Sequence, residues 1–534
     1  MFNSNRLNFY LKLFIFFFLF YGLWNALIIG GSWDEPFHHI NGIHRLRYLI
    51  SFGEYQNYNF LNNRFYPGIF DTISGLFSFM INKFYPEFLK ENFFNIKHLL
   101  NFIFASFSIL GLYKFIETFT KNVSLALFSC LLTLINPFFF GHMGINPKDT
   151  IIFFSLIWFL YFFYKYILNK KDFKNLILFS FFVGFGCGVR ISFLAIIFPI
   201  IIFGFYFYMN KFKLNLLSTL RLKIIDITLC LVIVCLLTFL TWPHIQQGNF
   251  GLFVETLKNS ITWSAGPRLV IINGIFYETS NVSKTYFLNF LIFRMPIYQS
   301  LLFFMAIYLF FFKRDFFFHQ VNQIKKYFSL NLTIILFSVI LVLIFSVKIY
   351  DGIRLFLFLI PFFCSIGALS VIYLIYNFKK NYLNYISLGV FIFFTILSLN
   401  RFFILSPYQY SYLNYTFFDL SSASNKFEND YWNTSWKELI ENIPDAINGK
   451  KISNYKFATC GGSRNVALHY LSKRFKKINF TKPIDADFII MTNRASFNKN
   501  DKRSCFDIHK GKDLFYVKRG NLILSKFTIL KNIN

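Results

Sequence analysis

The chain has 534 residues, 55% of them hydrophobic, 22% aromatic and only 15% charged, with a formal net charge of +29. A soluble domain carries about 25% charged residues, and apolar runs of roughly 18 or more residues, each long enough to cross a hydrocarbon core, recur along this one; a soluble globular protein is excluded. The positive balance does not indicate nucleic acid, because Lys and Arg gather in short loops beside apolar runs, the positive-inside pattern of membrane proteins.

The first apolar stretch, about residues 13–30, has no convincing small-x-small cleavage site and runs directly into Trp33-Asp34-Glu35. It reads as a retained span and not as a signal peptide. Eleven spans are predicted: about 11–30, 98–115, 122–140, 150–167, 175–190, 191–209, 223–242, 291–312, 328–347, 354–377 and 383–403. The loops around Lys170-Lys171, Lys211-Phe212-Lys213, Lys313-Arg314 with Lys325-Lys326, and Lys379-Lys380 are basic. All of them fall on one side if the N-terminus is cytoplasmic. Residues 175–209 test this parity, being about 50 Å of helix at 1.5 Å per residue, too long for one span and short for two. A tight hairpin with Arg190 at its outer tip keeps every basic loop inside. The expected location is a bacterial inner membrane, with the C-terminus on the periplasmic side.

In that orientation segments 31–97, 136–149, 243–290 and 406–534 face outward. The 71–97 stretch mixes Phe, Leu and Ile with Asp71, Lys83, Glu87, Lys90, Glu91 and Lys97, which suits a helix lying in the interface. From about 406 the long apolar runs stop, and 21 Lys/Arg stand against 11 Asp/Glu. Short segments such as Phe488-Ile489-Ile490-Met491 and Leu522-Ile523-Leu524 alternate there with helical and turn signals. The expected fold is therefore a polytopic α-helical membrane domain over 1–405, with an extracytoplasmic α/β domain over 406–534. Cys130, Cys187, Cys230, Cys235 and Cys364 lie in spans as small apolar residues. Cys460 and Cys505 are the only thiols outside the spans and are expected to pair in an oxidising compartment.

The candidate chemistry begins at Gly31-Ser32-Trp33-Asp34-Glu35-Pro36-Phe37-His38-His39. Adjacent carboxylates at a span end have two readings: caps for a helix that starts at Pro36, or a base that takes a proton from an attacking hydroxyl. The same choice holds at Gly141-His142-Met143-Gly144-Ile145-Asn146-Pro147-Lys148-Asp149, where Asp149 starts a helix and Lys148 can snorkel. Lys348-Ile349-Tyr350-Asp351-Gly352-Ile353-Arg354 occupies a tight turn between two spans. Arg190, Arg268, Lys284 and Arg294 are further cations at outer ends. Single interfacial cations are usually anchors, whereas several converging with acids suit a phosphate-bearing lipid.

Taken in order, these motifs resemble glycosyltransferase family 39, the dolichyl-phosphate-mannose protein mannosyltransferase relatives that use polyprenyl-phosphate sugars. The Asp34-Glu35 pair, the GH…NPKD pattern from His142 to Asp149, and Tyr350-Asp351-Gly352-Ile353-Arg354 carry the resemblance. Ser406 to Asn414, Phe427 to Trp432 and the Ala486 to Ile490 strand extend it. It implies a C-superfamily membrane fold, an outer active site and inversion at the anomeric carbon. Asp34 is then the base and Glu35 its signature neighbour. Lys148, Asp149, Arg190, Arg268, Lys284, Asp351 and Arg354 become candidates for binding the donor and its phosphate. Relatives often have His after the Arg of the DGIR turn; Leu355 stands here, so no role for that His carries over. The implied partners are a polyprenyl-phosphate-linked sugar donor, a protein, lipid or glycan acceptor, and membrane lipids. The cofactor is unassigned, a divalent metal held by Asp34, Asp149 and His142 being an open candidate. A transporter or a non-catalytic envelope assembly protein is the competing class. Transport calls for mid-membrane charges and inverted repeats; mid-span charges are few here, and no repeat is visible.

Overall fold

Long uninterrupted runs of Phe, Leu and Ile leave the helix as the conformation that satisfies every backbone hydrogen bond within a single segment in lipid. The computed structural model describes residues 4–55, 63–169, 172–262, 269–313, 315–316, 323–345, 349–377, 382–414, 426–447, 450–495 and 502–530. Among these, eight helices are long and apolar enough to cross a membrane: Asn5–Ile28, Phe93–Thr120, Asp149–Leu168, Phe193–Phe212, Leu216–Leu240, Gln323–Phe345, Arg354–Tyr376 and Tyr382–Ile404. The pair Tyr286–Arg294 and Ile297–Phe312, bent by 110° at Pro296, makes a ninth, and Val123–Leu134 and Phe173–Val189 are shorter apolar helices. The protein is a multi-pass membrane protein.

Each of the eleven predicted spans falls on one of these helices, and two details refine the expectation. The helix from Val123 stops at Leu134 and does not run on to 140. Pro137 has no N–H to continue it, and the Asn136 side chain accepts from Phe139 N–H to start a separate short helix, Pro137–His142. The 175–209 segment does break at Arg190, which is the extended C-cap of Phe173–Val189. Helix Ile69–Phe84 buries Asp71 and Thr72 but turns Leu76, Phe77, Met80 and Phe84 outward. An apolar outward side with a polar buried edge suits a helix lying at the interface.

Pairings between helix ends fix which ends share a face. Arg190 reaches Asp149, so the helix from Asp149 starts where Phe173–Val189 finishes. His98 reaches Glu35, Arg45 reaches Thr241 O, and Arg354 reaches Asp149. One end of the bundle therefore gathers the polar motifs, while Lys165, Lys174, Lys211, Lys213 and Arg221 lie toward the other.

Above the polar end sits a five-stranded sheet in the order Asn479–Phe480, Lys456–Cys460, Phe488–Thr492, Leu522–Ile529, Lys512–Arg519. The first three strands are parallel and the last two antiparallel to their neighbours. Phe457, Phe488 and Phe527 of this sheet belong to the same continuous core as Phe402, Tyr410, Trp432 and Trp436. Sheet and bundle are packed through one hydrophobic interior.

Cys460 and Cys505 form a disulfide across a sequence separation of 45 residues. On the chain-entropy relation a loop of that size contributes about 4 kcal/mol. The Cys460→Ser protein should lose a few kcal/mol in the sheet region, read as earlier loss of amide protection over 456–529. Unchanged protection there would remove the disulfide from the stability of the sheet.

Candidate active site

The first span ends where Gly30 and Gly31 let the chain turn against its neighbours. A Cβ on Gly30 would meet Thr434 O at 2.2 Å, and one on Gly31 would meet the Phe94 ring at 2.4 Å. Trp33 N–H then donates to Trp432 O at 3.1 Å, and helix Glu35–Ile50 begins with Pro36 in its first turn. The two adjacent carboxylates part company here. Glu35 points into the core, accepting from Ser32 N–H at 2.5 Å and facing His98 Nε2 at 3.0 Å. Asp34 is the N-cap position, yet its side chain makes no capping bond. Glu35 caps, leaving Asp34 half-buried with no direct hydrogen-bond or ion-pair partner among the described residues. Glu35, read from sequence as the signature neighbour of Asp34, thus turns away from it, as consecutive helical residues point about 100° apart.

Around Asp34 stand cations. Burial raises its carboxyl, but the fields of Arg354, His38, Lys148 and Arg494 outweigh that and hold it below the ordinary carboxylate value. It is therefore ionised at neutral pH. His38 faces Asp71 at 2.9 Å, and Asn41 donates to the same Asp71 oxygen at 2.8 Å. Lys148 Nζ lies 4.0 Å from the centre of the Tyr66 ring. Burial, and then Arg190, push the Lys148 ammonium down to about 8, partly offset by Asp71 and Asp34. Fully buried Arg45 fixes the loop carrying Tyr66, donating to Tyr66 O, Pro67 O and Thr241 O at 2.6–2.8 Å.

The GH…NPKD motif forms a connected chain. Asn146 Oδ1 accepts from Asp149 N–H at 2.8 Å, while its amide donates to Asp149 Oδ2 at 2.9 Å and approaches His142 Nδ1 at 3.3 Å. That contact makes Nδ1 the acceptor and leaves Nε2–H to donate to Tyr431 OH, 2.9 Å away. Asp149 Oδ1 pairs with Arg190 at 2.7 Å, and Oδ2 lies 3.9 Å from Arg354.

In the third motif Asp351 and Gly352 both adopt left-handed φ, +55° and +71°. This tight reversal lets one carboxylate serve two arginines. Asp351 Oδ2 meets Arg354 Nη2 at 3.0 Å, and Oδ1 meets Arg494 Nη2 at 2.9 Å. Arg354 lies over the rings of Tyr350 and Trp432 at 5.0 and 5.2 Å, and Arg494 lies over Trp33 at 5.0 Å. Glu428 approaches Arg494 Nε at 4.0 Å and accepts from Ala495 N–H at 3.2 Å.

Of the residues predicted from sequence, Asp34, Lys148, Asp149, Arg190, Asp351 and Arg354 therefore meet in one network. Lys284 does not join it, standing exposed before Tyr286 with no pairing to the cluster; Arg268 lies outside the described residues. Asp34, Asp149 and His142 do not form a metal set. Asp149 is taken by Arg190 and Asn146, and His142 by Asn146 and Tyr431. Among the described residues no three His, Cys, Asp or Glu side chains converge to hold an ion. Sequence reasoning missed Arg494 and Tyr66, and it quoted Trp33, Glu428 and Trp432 within motifs without assigning them a role in the site. Arg494 had one available signal: it follows strand Phe488–Thr492 at its carboxyl end, where open α/β sheets place ligand-binding residues.

Comparisons with known proteins agree with the motifs in part of the chain. Residues 76–242 match the model of the family described as dolichyl-phosphate-mannose-protein mannosyltransferase. This stretch contains the 142–149 motif and Arg190 but not Asp34. No curated protein matches the sequence at a significant level. Among solved structures, the chain is similar to the archaeal oligosaccharyltransferase AglB from Archaeoglobus fulgidus in complex with an inhibitory peptide and a dolichol-phosphate. That likeness has 10% identity and a TM-score of 0.47, covering 90% of this chain and 69% of that one. The same organism's oligosaccharyltransferase in complex with Zn and sulfate gives 11% identity, a TM-score of 0.43, and 91% and 68% coverage. ArnT from Cupriavidus metallidurans bound to undecaprenyl phosphate gives 9% identity, a TM-score of 0.47, and 97% and 98% coverage.

Glu428 supplies a test of the network's charge. Burial raises its carboxyl, Arg494 lowers it and Asp351 raises it again, leaving it pushed up to about 7. A folded value above the ordinary one means the fold prefers the protonated acid. The resulting stability, up to about 3 kcal/mol, is present below about pH 4.5 and lost as pH rises to about 7. Glu428→Gln should flatten thermal stability across that window and match or exceed the parent protein at pH 8. A parent-like slope in the variant would place the titration elsewhere.

Proposed function

We propose that this chain is a membrane glycosyltransferase that moves a sugar from a polyprenyl-phosphate carrier to an acceptor hydroxyl, with inversion and with Asp34 as the base. The observation that carries the proposal is Asp34 itself: an ionised, half-buried carboxylate without a direct side-chain partner among the described residues, facing Arg354, Lys148 and Arg494. The family match over 76–242 supports the same reading.

The charges suit a phosphate. Arg190, Arg354, Arg494 and Lys148 are four cations against three carboxylates, Asp34, Asp149 and Asp351, with Glu428, pushed up to about 7, only partly ionised. A phosphodiester monoanion balances that excess, and charge-assisted donors fixed in a dry site stabilise the growing charge on the leaving lipid phosphate. In the reaction the acceptor oxygen attacks the anomeric carbon opposite the phosphate. The C–O bond to the phosphate breaks and the acceptor proton passes to Asp34. Trp33, Tyr66 and Trp432, each beside a cation of the network, supply faces on which a sugar ring can stack. Glu35 holds the start of the helix that carries Asp34. No step is assigned to a metal.

This reading places the polar end of the bundle and the sheet on the extracytoplasmic side, with the basic loops facing the cytoplasm. A membrane-impermeant maleimide should label Lys510→Cys only from outside and Lys213→Cys only after the membrane is opened. The reverse pattern would overturn the orientation.

Transfer of labelled sugar from a polyprenyl-phosphate donor by the purified protein tests the chemistry. Asp34→Asn should insert and fold normally yet lose about 10²- to 10⁴-fold in turnover, since the amide cannot take the proton. Arg354→Ala and Arg494→Ala should weaken use of the lipid donor, whereas Glu35→Gln should cost less. Near-normal turnover by Asp34→Asn at full expression would remove the proposed mechanism.

A further inference from the structure

At the opposite end of the bundle lies a second polar cluster that the proposed reaction does not use. The helix Phe193–Phe212 packs on Asp149–Leu168 where Gly204 meets Phe163. The next helix, Leu216–Leu240, instead packs on Phe173–Val189, where Gly184 meets Val234 and Leu237. Two helices consecutive in sequence thus rest on different neighbours, and a cavity of about 290 Å³ opens between them. Its walls are apolar, built from Phe159, Phe163, Leu176, Val183 and Ile197. Its far end is not. Lys223 is buried there, 2.9 Å from Asp226, and lies over the rings of Tyr166 and Tyr208 at 4.3 and 5.1 Å. Tyr166 OH donates to the same Asp226.

This end is remote from Asp34. Tyr166 stands 17 residues along its helix from Asp149, about 26 Å at 1.5 Å per residue. The cavity is roughly twice the ~150 Å³ void that holds benzene in an engineered core, enough for a chain of about ten carbons. At this end of the bundle Lys211, Lys213 and Arg221, all exposed, stand within five residues of the lining residues Tyr208 or Lys223, Lys211 donating to Leu168 O, and Asp226 is the only acid between residues 211 and 226. Four cations against one carboxylate complement an anionic headgroup, and buried ionisable groups within a span mark function by default.

We infer that this cavity binds one acyl chain of an anionic glycerophospholipid from the leaflet opposite the Asp34 site, with the lipid phosphate held by Arg221, Lys211 and Lys213. The site is independent of sugar transfer, and its occupant enters laterally between the two helices.

The test uses the full-length protein in mild detergent, stripped of lipid and titrated with phosphatidylglycerol or phosphatidylcholine, with bound lipid counted by native mass spectrometry. Phosphatidylglycerol should saturate at one per chain and be retained about fivefold better than phosphatidylcholine, the effect of one surface cation. Cys230 lines the cavity, so Cys230→Phe should lower phosphatidylglycerol retention about fivefold or more, while Leu236→Phe, an exposed position on the same helix, should not. Arg221→Gln should reduce the preference for phosphatidylglycerol. If Cys230→Phe does not fold, Ile197→Phe fills the same space from the facing helix. Equal retention of the two lipids, or unchanged retention in the filled variants, would overturn the inference. One-for-one displacement by a polyprenyl phosphate would do so too, by assigning the cavity to that lipid's tail.

Discussion

Asp351 joins two arginines that the chain separates by 140 residues. Arg354 rises from the first turn of a span, and Arg494 descends from the carboxyl end of a strand; each meets one oxygen of the same carboxylate. Two guanidinium groups this close repel, and neither is at home in a dry interior unless a carboxylate lies between them. The left-handed backbone at Asp351 and Gly352 is what presents both oxygens at once. The bundle and the sheet are thereby locked at the point where Asp34 sits. Remove that carboxylate and the acid left to Arg494 is Glu428, pushed up to about 7 and so only partly ionised, while Arg354 falls back on Asp149 at 3.9 Å. The continuous core beneath holds sheet to bundle, but the charge bridge sets the register of the site.

Much of the bundle was legible in the sequence because lipid imposes a simple rule: apolar length becomes helix, and basic loops share a side. The break at Arg190 followed from length and charge together, since 175–209 could be neither one comfortable span nor two generous ones, and only a hairpin keeps every basic loop on one side. What hydropathy could not resolve was the stop at Leu134. Residues 122–140 are apolar enough on average that hydropathy gives no boundary, and the break comes instead from Asn136 and Pro137, which cap and restart the helix locally. The junction after 406 was hidden for a related reason. Tyr408, Tyr410, Trp432 and Trp436 are fully buried between bundle and sheet, yet their neighbours in sequence are polar enough to read as an outer domain.

The site divides along the same line. Residues in tight motifs beside span ends, such as Lys148, Asp149, Asp351 and Arg354, were readable because a charge at a membrane boundary stands out against its surroundings. Asp34 and Glu35 were given different roles only through the family resemblance, since adjacency in sequence is silent about helical phase; in the fold Glu35 caps toward Ser32 and His98 while Asp34 turns to the cations. Arg494 was one basic residue among 21 in the segment from 406. Nothing in composition marks it, and its role follows from being carried to Asp351 by a strand paired on both sides. Lys284 failed for the opposite reason: a cation near a span end is usually an anchor, and that is all its surroundings support.

A carboxylate held below its ordinary pKa is a weak base, which at first sight counts against Asp34 in the proposed reaction. The cause of the shift removes the difficulty. Burial alone would raise Asp34, and what lowers it is the combined field of Arg354, His38, Lys148 and Arg494. Three of these four are the groups proposed to face the donor phosphate. An anion bound among them cancels much of that field, burial then dominates, and the proton affinity of Asp34 rises only when donor is in place. Linkage makes this reciprocal: a proton on Asp34 and a phosphate in the site favour one another. In the empty enzyme the same field keeps Asp34 ionised and unable to hold a stray proton. In the proposed reaction the base is thus tuned by its substrate, and the feature that makes Asp34 weak in isolation would couple proton transfer to the presence of the sugar donor.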